Sequence, residues 1–257
     1  MLLAVDIGNT ETSVGLFDGR ELVANWRLST DTDRTSDEAR LWLRSLLEME
    51  GFSRSDIKSM ALASVVPAVT TSFRGFGDWI GGCEILVVEP GVKTGVPILI
   101  DNPHEVGADR VVNAVAARER YGSPVLVVDF GTSTNFDVVS PEGAYLGGAI
   151  APGLVISTNA LISGTAALRR VEFAPPRSPV GKGTLEAIQS GAIYGHAGLV
   201  DGIMERLEDE IGVPATRVAT GGLASTIVPH CRSVEIVDEH LTLDGLRIVH
   251  DLNQEYR

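Results

Sequence analysis

The sequence has few of the residues that mark several common classes of protein. It contains only two cysteines among 257 residues, too few for the disulfide framework of a small secreted domain. Lysine and arginine total 21 against 34 aspartates and glutamates. The resulting net charge of −13 disfavours nucleic acid and anionic membrane as main partners, because both are themselves negatively charged.

Targeting and membrane-spanning features are also missing. The first residues carry no basic region, and no apolar run is long enough for a spanning helix. Cys83 and Cys231 are then expected to be buried free thiols in a reducing compartment. We therefore expect a cytoplasmic protein with no membrane partner.

Several catalytic motifs are absent as well. The sequence has no HExxH, GxSxG or GxGxxG motif. Its five histidines lack the spacing of metal ligands, and we expect them at the surface. The segment Gly181-Lys182-Gly183-Thr184 is similar to the end of a P-loop, but the leading glycine is missing and Gly183 separates lysine from threonine.

The chain does contain one segment that occurs twice, at 3–10 and 126–133. Each copy is an apolar run ending in aspartate (Asp6 or Asp129), an apolar residue and a glycine, followed by hydroxyl or amide side chains. The run predicts a buried strand, and the glycine lets backbone N–H groups approach a phosphate. One copy alone is typical of an ordinary turn. The pair indicates two turns that hold a metal–polyphosphate from both sides, with Asp129 beside a cation.

The order of predicted elements repeats too. Each half begins with three strands joined by tight turns, predicted at 2–7, 13–17, 21–28, 124–129, 134–139 and 144–150. Helices and strands then alternate, with strands at 59–65, 84–88, 216–220 and 233–237. The predicted helices are 36–50, one starting at Pro67, 106–120, one after Pro152, 157–168, 184–211, a short one from Gly222, and 241–255. This pattern predicts two similar α/β domains, 1–120 and 121–257, with a cleft between them. The closing helix is free in this scheme to pack back on the first domain.

Three further segments are candidates for ligand contacts. Gly107-Ala108-Asp109-Arg110 enters a predicted helix, where Asp109 is placed to accept a hydroxyl proton and the helix dipole predicts a lowered pKa. A salt bridge at the helix start is the structural alternative. The glycine-rich segment 147–153 suits either close packing or a ligand. Thr220-Gly221-Gly222 suits either adenosine on bare backbone or a plain strand-to-helix turn.

Taken in order, the motifs DxGNT, GADR, DxGTxxxxD, GGxIxPG and TGG resemble those of type III pantothenate kinase, a family related to actin, hexokinase and heat-shock chaperones. The resemblance covers nearly the whole chain. It implies two ribonuclease H-like (actin-like ATPase) domains. It also implies ATP-dependent, in-line phosphorylation of pantothenate to 4′-phosphopantothenate, the first step of coenzyme A biosynthesis.

The resemblance implies a role for each candidate site residue. ATP would be bound by Asp6, Ile7, Gly8, Asn9, Thr10, Glu11, Thr12, Ser13, Thr132, Gly221 and Gly222. Pantothenate would be held by Gly107, Ala108, Asp109, Arg110 and Thr184, with Asp109 as proton acceptor. Asp129 would ligate a monovalent cation, K⁺ or NH₄⁺, while Mg²⁺ accompanies ATP. Thr184 would reach the site from the partner subunit of a homodimer.

The sequence departs from the family pattern at two positions, and two other functions stay open. Ile100 stands where many relatives carry a tyrosine, and Gly183 where an asparagine is common. One alternative is a non-catalytic, ligand-binding regulator on the same scaffold, expected to have lost a phosphate-site or base carboxylate. The other is a sugar or acetate kinase of the same superfamily, disfavoured by the short length and the GADR segment.

Overall fold

A computed structural model describes residues 1–164 and 171–254, which fall into two compact units. Unit 1 comprises Met1–Val96, Asp101–Ala116 and the chain from Thr242 onward. Unit 2 comprises Pro97–Ile100 and Ala117–Leu241. The division therefore runs inside a helix, between Ala116 and Ala117.

The described residues form strands and helices in the predicted repeating order, with one further short helix at 76–80 that the pattern did not predict. The strands are β1 (Leu2–Ile7), β2 (Glu11–Asp18), β3 (Glu21–Ser29), β4 (Ser59–Ser64), β5 (Glu84–Val87), β6 (Val125–Phe130), β7 (Ser133–Val139), β8 (Tyr145–Pro152), β9 (Thr216–Thr220) and β10 (Ile236–Val237). The α-helices are α1 (Ser36–Met49), α2 (Pro67–Arg74), α3 (Phe76–Ile80), α4 (Ala108–Tyr121), α5 (Leu154–Ser163), α6 (Thr184–Ile211), α7 (Ala224–Ile227) and α8 (Leu241–Gln254). Short 3₁₀ turns lie at Arg54–Asp56 and Val228–His230.

The two units contain five-stranded sheets of the same topology. The strand orders are β3-β2-β1-β4-β5 and β10-β9-β6-β7-β8. In each sheet the first strand pairs antiparallel with the second and parallel with the fourth. The register shifts at the same place in both, between the second and third strands. The prediction of two similar α/β domains is thereby confirmed.

Each unit has its own hydrophobic core. In unit 1, Leu3, Val5 and Ile7 of β1 pack with residues from α1 and β4. In unit 2, Leu126 and Val128 belong to a cluster that includes residues of α6 and β9. The central strands are buried nearly throughout, as expected for strands with neighbours on both sides and covered faces.

Two predicted boundaries differ from the observed ones for local reasons. A helix after Pro152 and a separate helical segment at 157–168 are predicted, whereas the structure has one helix here, Leu154–Ser163, with Gly153 as its N-cap. Residues 165–168 of the second prediction lie outside the described residues. The strand predicted at 233–237 is limited to Ile236–Val237. Ser233 is drawn off the sheet, because its N–H and hydroxyl both donate to Asp201, at 2.9 and 2.7 Å.

Helix length and composition bear on membrane insertion. Across residues 1–164 and 171–254, we find no helix with both the length and the apolar character that a bilayer crossing requires.

Candidate active site

The turn between β1 and β2, called here the first turn, is the first predicted phosphate site. Four residues, 8–11, connect the paired ends of the strands. The Gly8 N–H donates to the Glu11 carbonyl at 2.9 Å and closes the turn. Asn9 and Thr10 lie exposed at its tip. A phosphate placed there would meet backbone N–H groups and short polar side chains.

The remaining residues of the predicted ATP-binding segment lie in less open surroundings. Ile7 and Thr12 are buried, with 0% and 5% of their surfaces exposed. Glu11 is exposed but forms an ion pair with Arg27 at 2.6 Å. Ser13 is half-buried on β2. Within this segment, the structure therefore offers mainly the tip of the turn to a ligand.

The turn between β6 and β7, called here the second turn, is one residue shorter. Three residues, 131–133, connect the paired strand ends. The Gly131 N–H donates to the Ser133 carbonyl at 3.0 Å, the counterpart of the bond that closes the first turn. Thr132 is half-buried between them. The backbone of Gly153 lies directly against this turn, because a β-carbon there would fall 2.2 Å from the Thr132 carbonyl oxygen.

Asp129 occupies the penultimate position of β6 and faces the turn that follows β9. A β-carbon on Gly221 would lie 2.4 Å from the Asp129 Oδ1 atom. Gly221 also has φ +89°, which L side chains rarely adopt. Gly222 follows it, exposed. The carboxylate and the glycine turn are thus brought together at the C-terminal ends of two parallel strands, where α/β sheets commonly bind ligands.

One of the polar side chains that follow the second turn is buried and has a hydrogen-bond partner within the protein. Thr134 is 1% exposed, and its hydroxyl lies 2.9 Å from His196 Nε2. Burial lowers the pKa of His196. The prediction that the histidines lie at the surface is wrong for His196 and His250, which are 7% and 8% exposed. The spacing of buried Ile193, His196, Ala197, Val200 and Met204 along α6 follows a helical stripe and was the available signal.

Asp109 is the second residue of α4, and its carboxylate folds back over the start of the helix. Oδ1 accepts a hydrogen bond from the Arg110 N–H at 2.9 Å. A β-carbon on Gly107 would lie only 2.3 Å from the same oxygen. The absence of a side chain at position 107 is therefore what leaves room for this carboxylate. Ala108 and Arg110, like Asp109, are half-buried.

The pKa of Asp109 is raised, and the prediction of a lowered pKa is wrong. Burial is the largest cause of the shift. The Arg110 N–H and guanidinium act in the opposite direction but do not outweigh it. The sequence pattern predicted the stabilising position at a helix start correctly. The sequence pattern could not predict how much water the Asp109 carboxyl group loses on folding, because that depends on which residues pack around it.

Within unit 1, Val65 links the first turn to the Asp109 segment. The Val65 N–H donates to the Ile7 carbonyl at 3.1 Å. A β-carbon on Gly107 would lie 3.5 Å from Val65 Cγ1. The predicted phosphate-binding and pantothenate-binding segments of this unit therefore meet at one end of its sheet.

The other predicted substrate contacts are at separate places in the chain. Thr184 is exposed at the first position of α6, after the N-cap Gly183. Ile100 belongs to unit 2, close to Gly147, whose added β-carbon would lie 3.4 Å from Ile100 Cγ2.

Comparison with known proteins identifies the family. The family model described as type III pantothenate kinase matches residues 2–206. A type III pantothenate kinase of Myxococcus xanthus is 48% identical over 253 residues, covering 98% of this chain and 99% of that protein. One from Frankia alni is 50% identical over 258 residues, covering 98% of this chain and all of that protein.

Solved structures with low sequence identity share the fold. A Campylobacter jejuni protein named for the Baf family of transcriptional activators has a TM-score of 0.60 at 17% identity, covering 98% of this chain and 99% of its own. Component A of (R)-2-hydroxyglutaryl-CoA dehydratase from Acidaminococcus fermentans has a TM-score of 0.57 at 15% identity, covering 100% and 99%. These neighbours confirm the predicted actin-like ATPase fold. The family match and the full-length relatives show that this chain belongs to the type III pantothenate kinases.

Proposed function

We propose that this chain transfers the γ-phosphoryl group of ATP to the primary hydroxyl of pantothenate, yielding 4′-phosphopantothenate on the route to coenzyme A. The family supports this pair of substrates. The observation that carries the proposal is the half-buried carboxylate of Asp109, seated over Gly107 at the end of the sheet that also bears the first turn. It is a base candidate beside a candidate phosphate site.

Asp109 acts as the proton acceptor in this mechanism. A bond forms between the pantothenate oxygen and the γ-phosphorus, the bond from that phosphorus to the β–γ bridging oxygen breaks, and the hydroxyl proton passes to the carboxylate. Burial raises the pKa of Asp109, and a higher pKa makes the carboxylate a stronger base. Arg110 supplies positive charge for the pantothenate carboxylate.

Residues of each turn are assigned to the ATP phosphates. In unit 1 the backbone N–H groups of the first turn, with Asn9 and Thr10, contact phosphate oxygens. In unit 2 the assigned contact is Thr132 of the second turn. Gly221 and Gly222 leave bare backbone for the adenosine. Mg²⁺ bound to ATP would offset phosphate charge. Catalysis then rests mainly on positioning and charge neutralisation, as in phosphoryl transfer generally.

Asp129 is the residue that we assign to a monovalent cation. The residues fit such an ion, because the carboxylate lies in a cradle that a side chain at Gly221 would fill. Carboxylate and carbonyl oxygens suit a hard cation. When bound, K⁺ or NH₄⁺ would supply positive charge beside the ATP phosphates, in a protein that is itself acidic. Replacing K⁺ by Na⁺ should lower the rate, and an unchanged rate would count against Asp129 in this role.

A homodimer is supported by exposed apolar side chains on consecutive elements of unit 2. On β8 these are Leu146 and Ile150; on α5 they are Val155, Ile156 and Leu161. Alternate residues of β8, an edge strand, are exposed, so its outer face is apolar. We propose that a second copy of the chain covers this face and contributes its Thr184 to the pantothenate site.

The dimer is tested with a charge on the apolar face. Ile150 and Leu41 are similarly exposed, at 66% and 64%, but Leu41 lies on α1 of unit 1. Ile150→Glu should sediment as a monomer, whereas Leu41→Glu should remain dimeric. Dimers of equal strength for both variants would show that β8 is not the interface.

The activity is tested by Asp109→Asn with a matched control. Asp37 is also the second residue of a 14-residue helix, α1, and is solvent-exposed. In a coupled assay with pantothenate, ATP and K⁺, turnover of Asp109→Asn should fall by roughly 100-fold or more. Asp37→Asn should match the wild type.

The outcomes of this assay separate the remaining alternatives. Near-normal turnover of Asp109→Asn would remove Asp109 as the base. ATP consumption with another alcohol, but not with pantothenate, would indicate a different kinase of the superfamily. Nucleotide binding without turnover of any substrate would favour a regulatory protein.

A further inference from the structure

Thr30 follows β3 directly and makes three hydrogen bonds with residues of the first turn and its flank. Its hydroxyl donates to the Gly8 carbonyl at 2.7 Å. Its N–H donates to the Thr10 carbonyl at 2.9 Å. Its oxygen lies 2.9 Å from the Thr12 hydroxyl.

The direction of each hydrogen bond follows from the number of protons. A hydroxyl has one hydrogen, and the Thr30 hydrogen goes to Gly8. Thr12 must therefore be the donor in the bond between the two hydroxyls. The Thr12 hydrogen points to Thr30 and is not directed at a ligand. Thr12 then acts on the turn through Thr30.

These bonds determine which way the turn presents its donors. In a trans peptide the C=O and N–H groups point in opposite directions. Because Thr30 holds the Gly8 carbonyl, the Asn9 N–H is directed to the opposite side. The same relation holds for the Thr10 carbonyl and the Glu11 N–H. Thr30 therefore orients the backbone donors that the first turn offers.

We infer that Thr30 is a positioning residue for the nucleotide phosphates. This inference rests on the proposed function, in which the first turn binds ATP. Thr30 touches no reacting atom; it acts by holding two carbonyls of the turn from behind. The half-buried position of Thr30 strengthens these bonds, since water competes poorly for their donors and acceptors there. Loss of the hydroxyl should let the turn rotate and weaken phosphate binding.

The test compares Thr30→Val, which replaces the hydroxyl with a methyl group of similar size, with Thr30→Ser, which keeps the hydroxyl. Thr70→Val is the matched control, because the Thr70 hydroxyl also donates to a carbonyl, that of Val66, at 3.0 Å in a half-buried position of unit 1. The readouts are the KM of each substrate, kcat, the Kd of ADP by calorimetry and the melting temperature.

Thr30→Val should raise the KM for ATP and the Kd of ADP by about 10-fold, because a misplaced binding group loses much of its effect. The KM for pantothenate should stay within about 2-fold. Thr30→Ser should restore most of the nucleotide affinity, and Thr70→Val should bind as the wild type does.

Several results would overturn the inference. Equal nucleotide affinity of Thr30→Val and Thr70→Val would do so, as would a KM increase of the same size for both substrates or failure of Thr30→Ser to restore binding. If the wild type binds ADP but does not phosphorylate pantothenate, the proposed function fails while the Kd comparison still decides the role of Thr30. Wild-type protein that binds no ADP would reject both.

Discussion

In unit 1 the first turn is held by Thr30 through both its hydroxyl and its N–H, whereas in unit 2 the second turn lies against the bare backbone of a glycine. Thr30, after the third strand, donates its hydroxyl hydrogen to Gly8. At the corresponding place after β8, Gly153 packs flush against Thr132 and Gly131. Two copies of one topology thus support their turns by different means. The Thr30 hydroxyl can be removed without moving the chain, but the close approach of Gly153 leaves no room for a β-carbon.

The same contrast holds for the two acids that we assign to chemistry. Each carboxylate lies against a glycine, Asp109 against Gly107 and Asp129 against Gly221. A side chain at position 107 would meet mainly the Asp109 carboxylate, which can rotate away. A side chain at position 221 would also meet the backbone of Phe130, at 2.6 and 2.8 Å. An alanine at position 107 should therefore lower activity with little effect on stability. An alanine at position 221 should lower activity and stability together.

The largest effect should come from Gly153→Ala. Its β-carbon would fall 2.2 Å from the Thr132 carbonyl oxygen and 2.8 Å from that of Gly131, and neither backbone group can yield cheaply. We expect a loss of about 3 kcal/mol in the free energy of unfolding, measured in denaturant. Gly8→Ala, whose β-carbon would come within 3.0 Å of a single carbonyl, should lose less than half as much. Equal losses of unfolding free energy in the two variants would show that the two turns do not differ in how closely backbone packs against them.

Gly107→Ala should be next in size and should act on activity. The new β-carbon displaces the Asp109 carboxylate, and kcat/KM for pantothenate should fall by about 100-fold, since small misplacements of a catalytic group are costly. The unfolding midpoint should change little. The matched comparison is Gly221→Ala, which should lower the midpoint as well. A Gly107→Ala enzyme with full activity would show that the carboxylate need not occupy this position.

The smallest effect concerns pH and stability. Burial raises the pKa of Asp109 in the folded state, so between the unfolded and folded pKa values the native protein holds a proton that the unfolded chain has released. Stability therefore decreases as the pH rises through this interval and stays lower above it. Asp109→Asn, which carries no charge, should unfold at a slightly higher temperature at pH 7. The stability of this variant should also decrease less than that of the wild type as the pH rises, because the contribution of Asp109 is missing.

A lower or unchanged melting temperature for Asp109→Asn at pH 7 would contradict the raised pKa. The exposed Asp37→Asn serves as control, since its carboxyl group is largely hydrated in both states. Activity gives an independent measurement. The acid limb of kcat/KM should lie at higher pH than an exposed aspartate would give, because the reaction needs the deprotonated carboxyl group.

Much of the fold could be predicted from local pattern. Alternation, turn residues and the repeated DxG segment were enough for the element order, and α6 and β9 were placed at their observed bounds, Thr184–Ile211 and Thr216–Thr220. The candidate site was less predictable. The four-residue and three-residue connections of the two turns look alike in sequence, because the residue at which strand pairing resumes depends on the partner strand.

The residues themselves carried the family, the duplicated topology and three candidate acids, Asp6, Asp109 and Asp129, because a motif records which chemical groups stand next to one another along the chain. Packing of distant segments supplied what no motif contains: Thr30 behind the first turn, the buried His196 beside Thr134, and the raised pKa of Asp109. The hydration and the hydrogen-bond partners of a side chain depend on the residues that surround it in space. These residues come together only when the sheets and helices of each unit pack around their core.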